Sequence, residues 1–227
     1  MLPKLAPGGG IANRMRTLLA YAEATRLRGF ATPVMVWEAN KHALPNEGAI
    51  AVEGVAIEDA DRIEDGVIPV PGALDMPIFY RSYGLPSPSR KEMVAAYGRV
   101  RFREDIVAAS AVAESCDLAV HVRMTDMASA TRIPAMLAAV RESGAKKLYL
   151  ACDEPATIAA FSREFEVVQQ ATFFRLPGVL RTSTTADACI DLLACARAPA
   201  FIGTRASSFS EMANRLRELH HLPHRGV

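Results

Sequence analysis

From residue 117 onward the chain alternates short apolar runs with segments of helical period. DLAVHVRM predicts a strand, apolar spacing predicts a helix from about Thr131 to Glu142, and KKLYLAC predicts the next strand. The alternation continues with a helix that begins over Pro155–Phe161, a weaker strand in EVVQQATF, a helix over Ala186–Arg197, a strand in AFIGT and a helix over Phe209–Leu219. Strands that alternate with helices at this interval build a parallel sheet covered on both faces through right-handed crossovers. The second half is therefore expected to be Rossmann-like.

The first half is less regular. A glycine run opens it, a helix is predicted from about Asn13 to Arg28, and PVMVWE reads as a short strand. Between Asn40 and Ser89 prolines, glycines and acidic residues dominate, which predicts short strands, turns and a solvated acidic face. The segment SPSRKEMVAAYGRVRFREDIVAASAVAE predicts one long helix or two broken at Gly98, and connects the halves. The expected class is α/β, with two Rossmann-like halves carrying parallel sheets, residues 1–100 and 101–227, the N-terminal half being reduced.

Composition narrows the function. With 26 basic and 25 acidic residues the formal charge is +1, which gives no electrostatic excess for nucleic acid, so any anion site is local. The N-terminus lacks the pattern of a signal peptide and no segment approaches the ~20 apolar residues of a membrane span, so a cytoplasmic protein is expected. The cysteines Cys116, Cys152, Cys189 and Cys195 are widely spaced within apolar stretches, which suits neither a disulfide framework nor zinc.

In an open parallel sheet, ligands bind where loops leave the carboxyl ends of strands. Three polar clusters follow predicted strands: His121, Arg123 and Asp126; Asp153 and Glu154; and Thr204, Arg205, Ser207 and Ser208. Period-two alternation puts His121 and Arg123 on one side of their strand and Val122 on the other. The guanidinium of Arg123 suits two-pronged contact with a phosphate, or else a structural ion pair with Asp126 or Asp153. Ser207 or Ser208 is placed to cap the last helix, with Glu211 completing a capping box after Ser208; the same helix end also attracts a phosphate. The glycines before Asn13 let a ligand approach the backbone or merely turn it. They match neither a P-loop nor the dinucleotide fingerprint.

Four segments, in order, resemble those of the fucosyltransferase superfamily that includes NodZ, the α1,6-fucosyltransferases and the protein O-fucosyltransferases. GGGIANRMRTLLAYAEATRL is similar to the family's opening GG-x-x-NR-x-x-x-L, HVRMTD to H-x-R-x-x-D, LYLACDEP to its LATDD-P segment, and CIDLLACARAPAFIGTRASSFSEMA to its D-L-L to I-G-S-S-S-F-S region. The resemblance implies a GT-B-like fold and an inverting, metal-independent transfer of fucose from GDP-fucose, or a related nucleotide sugar, to a glycan or other hydroxyl acceptor. It assigns Arg123 to the pyrophosphate and Asp126 to catalysis with it, His121 and Asp191 to the nucleoside, and Ser207, Ser208 and Phe209 to the phosphates or base. Asp153 orders the adjoining loop and shares with Asp126 the candidacy for general base, while Gly9, Gly10, Asn13 and Arg14 face the donor from the N-terminal half. No cofactor is implied beyond the donor substrate. Met124 stands where α1,6-type members carry a second arginine, so their acceptor linkage does not transfer. The alternatives are a non-catalytic sugar-nucleotide-binding protein or accessory subunit with a degenerate acceptor site, and a GT-B enzyme using GDP-mannose or a UDP-sugar.

Overall fold

The computed structural model describes residues 4–30, 33–39, 44–65, 67–70, 85–124, 133–170, 183–220 and 225–226, and the chain divides into two units, Met1–Arg103 and Glu104–Val227. Among the described residues no helix is long and apolar enough to cross a membrane.

The N-terminal unit opens on a strand, β1 (Lys4–Pro7), followed by helix α1 (Ile11–Leu27) and strand β2 (Val34–Glu38). β3 (Ile50–Val52), β4 (Ala56–Ala60) and β5 (Val67–Val70) come from the acidic stretch. The parallel sheet has the order β4-β2-β1-β5. Leu5, Met35 and Trp37 of its two central strands are fully buried. β4 lies at the edge and exposes Glu58 and Asp59, charges that discourage pairing with another chain. Asp59 is also structural, since its carboxylate accepts from the amides of Asn46 at 2.7 Å and Glu47 at 3.0 Å.

Helix α1 is not the one-sided amphipathic helix of a surface, because most residues from Ile11 to Thr25 are buried. Buried Glu23 is held by Arg26, with N–O distances down to 2.5 Å, and by Arg99 at 2.6 Å. The segment expected to be wholly helical instead forms α2 (Arg90–Tyr97), strand β6 (Val100–Phe102), α3 (Glu104–Ser110) and a 3-10 turn over Ala111–Ser115. A capping box between Ser89 and Glu92 starts α2, and Gly98 ends it. β6 then pairs antiparallel with β3, burying Val100 together with Ile50 and Val52.

The C-terminal unit follows the predicted alternation: β7 (Leu118–Val122), α4 (Ile133–Ser143), β8 (Lys147–Cys152), α5 (Pro155–Phe161), β9 (Glu166–Val168), α6 (Thr185–Arg197), β10 (Phe201–Gly203), α7 (Ser208–Leu219) and β11 (Arg225–Gly226). Its parallel sheet has the order β11-β10-β7-β8-β9. All five residues of β7 are buried, as expected of a central strand covered on both faces. On one face Leu118, Val120, Val122, Leu148, Leu150 and Cys152 pack with Met136, Val140 and Phe161 of α4 and α5. Each such side chain contributes about 1.5–3 kcal/mol when fully buried.

Two further devices fix α6 and α7. Thr184 caps α6 in a box with Asp187. Fully buried Arg217 of α7 donates to the carbonyls of Cys195 at 2.9 Å, Ala196 at 3.2 Å, Ala198 at 2.6 Å and Pro199 at 3.1 Å, closing the carboxyl end of α6. α7 also lies hard against β10: a methyl group built on Gly203 would stand 2.6 Å from Cβ and Oγ of Ser210. Glycine is what allows that approach.

Candidate functional site

The carboxyl ends of β7, β8 and β10 lie side by side, with His121 registered against Gly203 and Val122 against Cys152. Thr204, just past β10, continues the ladder with its side chain. Its amide donates to the His121 carbonyl at 3.1 Å, its hydroxyl donates to the same oxygen at 2.8 Å, and that hydroxyl accepts from the Arg123 amide at 3.0 Å. From the other side Asp153 accepts the Met124 amide at 2.8 Å through Oδ1, while Oδ2 stands 3.4 Å from Arg123 Nε. The backbone of residues 123 and 124 is thus pinned by both neighbouring strands. Arg123 forms an ion pair with Asp153, and both side chains keep 15% of their exposure. The ion-pair and phosphate readings of Arg123 are compatible, because a carboxylate on Nε orients the guanidinium.

His121 is buried between two residues of α7. Its Nδ1 lies 2.7 Å from Ser210 Oγ, and its ring stacks on Phe209 with centroids 4.4 Å apart and planes at 25°. Asp191, on α6, is 6% exposed and accepts from the Tyr149 hydroxyl at 2.7 Å. Burial pushes its carboxyl up to about 7, an effect the Tyr149 hydrogen bond partly offsets; burial and the adjacent Asp191 raise the Tyr149 phenol above its ordinary range. Burial likewise pushes the Cys152 thiol up to about 12, so it is inert at neutral pH.

The start of α7 differs from the expected capping box. Ser207, not Ser208, is the N-cap, so Glu211 falls four residues on instead of three, and the Ser207 side chain makes no capping hydrogen bond. The preceding Ala206 has φ +58°, a left-handed conformation that costs a residue with a Cβ about 1 kcal/mol or more. A turn held in this way delivers Ser207 and Ser208 to the same sheet end as Arg123, with first-turn amides that receive nothing from the N-cap side chain.

Gly9, Gly10, Asn13 and Arg14 belong to the other unit, in the turn from β1 into α1. Gly9 has φ +78°, and a methyl group there would stand 3.0 Å from Asn13 Nδ2. Gly10 is the N-cap and supplies no side-chain acceptor. Arg14 is fully buried: Nε donates to the Gly9 carbonyl at 2.9 Å, and Cζ lies 5.2 Å from the centroid of the Trp37 ring. Burial lowers its pKa to about 10, against the pull of Glu38, so it stays charged at neutral pH. Asp126 lies outside the described residues. Among those residues no three His, Cys, Asp or Glu side chains gather as a metal site.

Sequence reasoning missed Tyr149 and Ser210 as partners of the named residues. The signal for Tyr149 was present: Leu148 and Leu150 alternate into the core, which turns Tyr149 to the face of His121. For Ser210 there was only the glycine at 203, whose meaning depends on what approaches it.

No protein-family model matches the sequence, and no curated protein matches it. The fold does match solved structures. A NodZ alpha-1,6-fucosyltransferase soaked with GDP-fucose aligns with a TM-score of 0.63 at 15% identity, covering 95% of this chain and 93% of that one. POFUT1 in its apo form aligns with a TM-score of 0.58 at 13% identity, over 99% and 97% of the two chains. POFUT1 in complex with GDP-fucose gives 0.56 at 13% identity, over 99% and 98%. The chain has a GT-B-like fold of the fucosyltransferase type, as the four motifs implied.

Proposed function

We propose that the protein binds a GDP-sugar and transfers the sugar, fucose, to a hydroxyl acceptor with inversion and without a metal ion. The observation that carries this reading is the anchoring of Arg123, its backbone pinned by Thr204 and Asp153 at the carboxyl end of a central strand. In the reaction the acceptor oxygen bonds to the anomeric carbon as the bond from that carbon to the diphosphate breaks. The bonding electrons leave with GDP, so negative charge grows on the phosphate oxygens. A preoriented guanidinium and the first-turn amides of α7 stabilise that charge where it forms. The acceptor proton passes to a general base. Asp153 has both oxygens engaged by residues 123 and 124 and acts as the orienter of Arg123, which assigns the base to Asp126. His121, stacked on Phe209, and Asp191 are assigned to the nucleoside. The proposal places the reaction in the cytoplasm, where the four buried cysteines stay reduced.

Thermal-shift screening against GDP, UDP, ADP, NAD and their sugar conjugates tests the reading, since a ligand at 100 times its Kd stabilises the folded state by about 2.7 kcal/mol. GDP and GDP-fucose are expected to give the largest shifts, unchanged by EDTA. Equal shifts from all nucleotides, a preference for NAD, or strict dependence on magnesium or manganese would overturn it.

A further inference from the structure

Two consecutive residues at the start of α7 fix the ring of His121 in different ways. Phe209 stacks on it, with centroids 4.4 Å apart, and so sets its plane. Ser210 Oγ stands 2.7 Å from Nδ1 and so sets its edge. The approach is built into the sheet. Gly203 of β10 is registered against His121 of β7, and a methyl group on Gly203 would stand 2.6 Å from Ser210 Cβ and Oγ, so the serine occupies the space that a missing side chain leaves and reaches the neighbouring strand. A serine hydroxyl both donates and accepts, and a neutral imidazole has one nitrogen of each kind, so the distance alone leaves the direction of this bond open. Burial decides it. Ser210 and His121 are each 5% exposed, and among the described residues Nδ1 is the one hydrogen-bond partner of the Ser210 hydroxyl. If Nδ1 carried the hydrogen, the serine proton would be left buried without an acceptor; if Ser210 donates, that proton has its place.

We propose that Ser210 is a positioning residue for nucleotide binding: it donates to Nδ1, keeps the ring hydrogen of His121 on Nε2, and so makes His121 a hydrogen-bond donor to an acceptor atom of the nucleotide. The inference rests on the nucleotide-sugar reading and deepens it, since that reading assigns His121 to the nucleoside without giving the direction of the hydrogen bond. A group that meets Nε2 must then offer a lone pair, as a base carbonyl or the ribose ring oxygen does. In the other tautomer Nε2 would set its own lone pair against that atom. Ser210 acts through His121 alone, by fixing which of the two ring nitrogens holds the hydrogen.

The test is isotope-edited nitrogen NMR of the imidazoles of the full chain, at about pH 8, above the ordinary range of histidine titration. It is paired with calorimetric titration by GDP, for the parent, Ser210→Ala and Ser210→Thr. The chain has five histidines, and a His121→Gln sample identifies the signals that belong to His121. The ligand-free parent is expected to show a bare Nδ1 and a protonated Nε2; a hydrogen on Nδ1 overturns the proposal whatever the variants do. Ser210→Ala is expected to mix the two tautomers and to bind GDP about two- to tenfold more weakly, as the fraction of rings in the binding form falls. Ser210→Thr keeps the hydroxyl and is expected to return both the signals and the affinity toward the parent; if threonine does not fold beside Gly203, the parent and Ser210→Ala decide. An unchanged tautomer in Ser210→Ala overturns the proposal, even beside a loss of affinity, which a merely structural role would also give. Parent-like affinity beside a changed tautomer overturns it as well. A parent that shows the expected tautomer but binds no GDP defeats the nucleotide-sugar reading and takes the binding role with it; a parent that binds GDP with its hydrogen on Nδ1 defeats the proposal alone.

Discussion

Each unit encloses a fully buried arginine, and the two are treated in opposite ways. Arg217, in the C-terminal unit, spends its guanidinium on four carbonyls at the end of α6. Arg14, in the N-terminal unit, meets one carbonyl and a ring face, and its Nη atoms find no acceptor among the described residues. The paired arginine holds helices together. The other, less fully met among the described residues, is carried at a cost to the fold.

The largest expected effect breaks the paired side of this contrast. Arg217→Met should cost ~3–5 kcal/mol by stranding the carbonyls of α6, read as a fall in the urea midpoint; a variant as stable as the parent would falsify the capping role. Gly203→Ala comes next, at about 3 kcal/mol, because the new methyl group meets Ser210 Cβ and not merely a rotatable hydroxyl. The loss should appear in thermal melts, and Gly203→Ala combined with Ser210→Gly should recover much of it. No recovery would mean that the crowding lies elsewhere.

Arg123 is intermediate, paired with Asp153 and still partly exposed. Arg123→Ala should therefore lower the melting temperature little while weakening GDP binding by ~1.5–3 kcal/mol, roughly ten- to hundred-fold. Arg123→Lys should restore only part of the affinity, since it returns the charge without the two-pronged donor. A large fall in melting temperature with intact affinity would make Arg123 a second Arg217.

The remaining effect concerns Asp191 and depends on pH. Raised to about 7 in the fold, it keeps its proton over a range, from ~4 upward, where the unfolded chain has released its own. Its contribution to stability is therefore fully present below ~4 and lost as the pH climbs through 7. Asp191→Asn, which can still accept from Tyr149, should gain on the parent across that window and level off above it. Melting curves at intervals from pH 4 to 8 that keep a constant gap would show that Asp191 does not titrate there.

The C-terminal unit was readable because its helices are long enough to show a period and punctuate the short apolar strands between them. α5 occupies Pro155–Phe161, the stretch where a helix is expected to begin, and the other predicted helices of that half differ from the observed bounds by no more than two residues at either end. The strands β1 and β6 were not readable. β1 has four residues and ends in proline, and β6 has three, so neither can display alternation. β6 lies between two good helix formers, and only its pairing with β3 makes it a strand. At the site, position along the chain gave the strand ends and hence Arg123, Asp153 and Thr204. What it could not give was the state of each charge. Whether an arginine meets carbonyls or none depends on chain segments far away, as Arg217 with residues 195–199 shows.

Thr204 has one more consequence. The Arg123 amide is held by the hydroxyl of a side chain, whereas the residues before it are held strand to strand. A single side-chain rotation therefore releases this amide to solvent, while the strand amides wait for wider unfolding. The end of β7 is a latch on a shut door: in hydrogen exchange it opens by local fluctuation, leaving the sheet behind it closed.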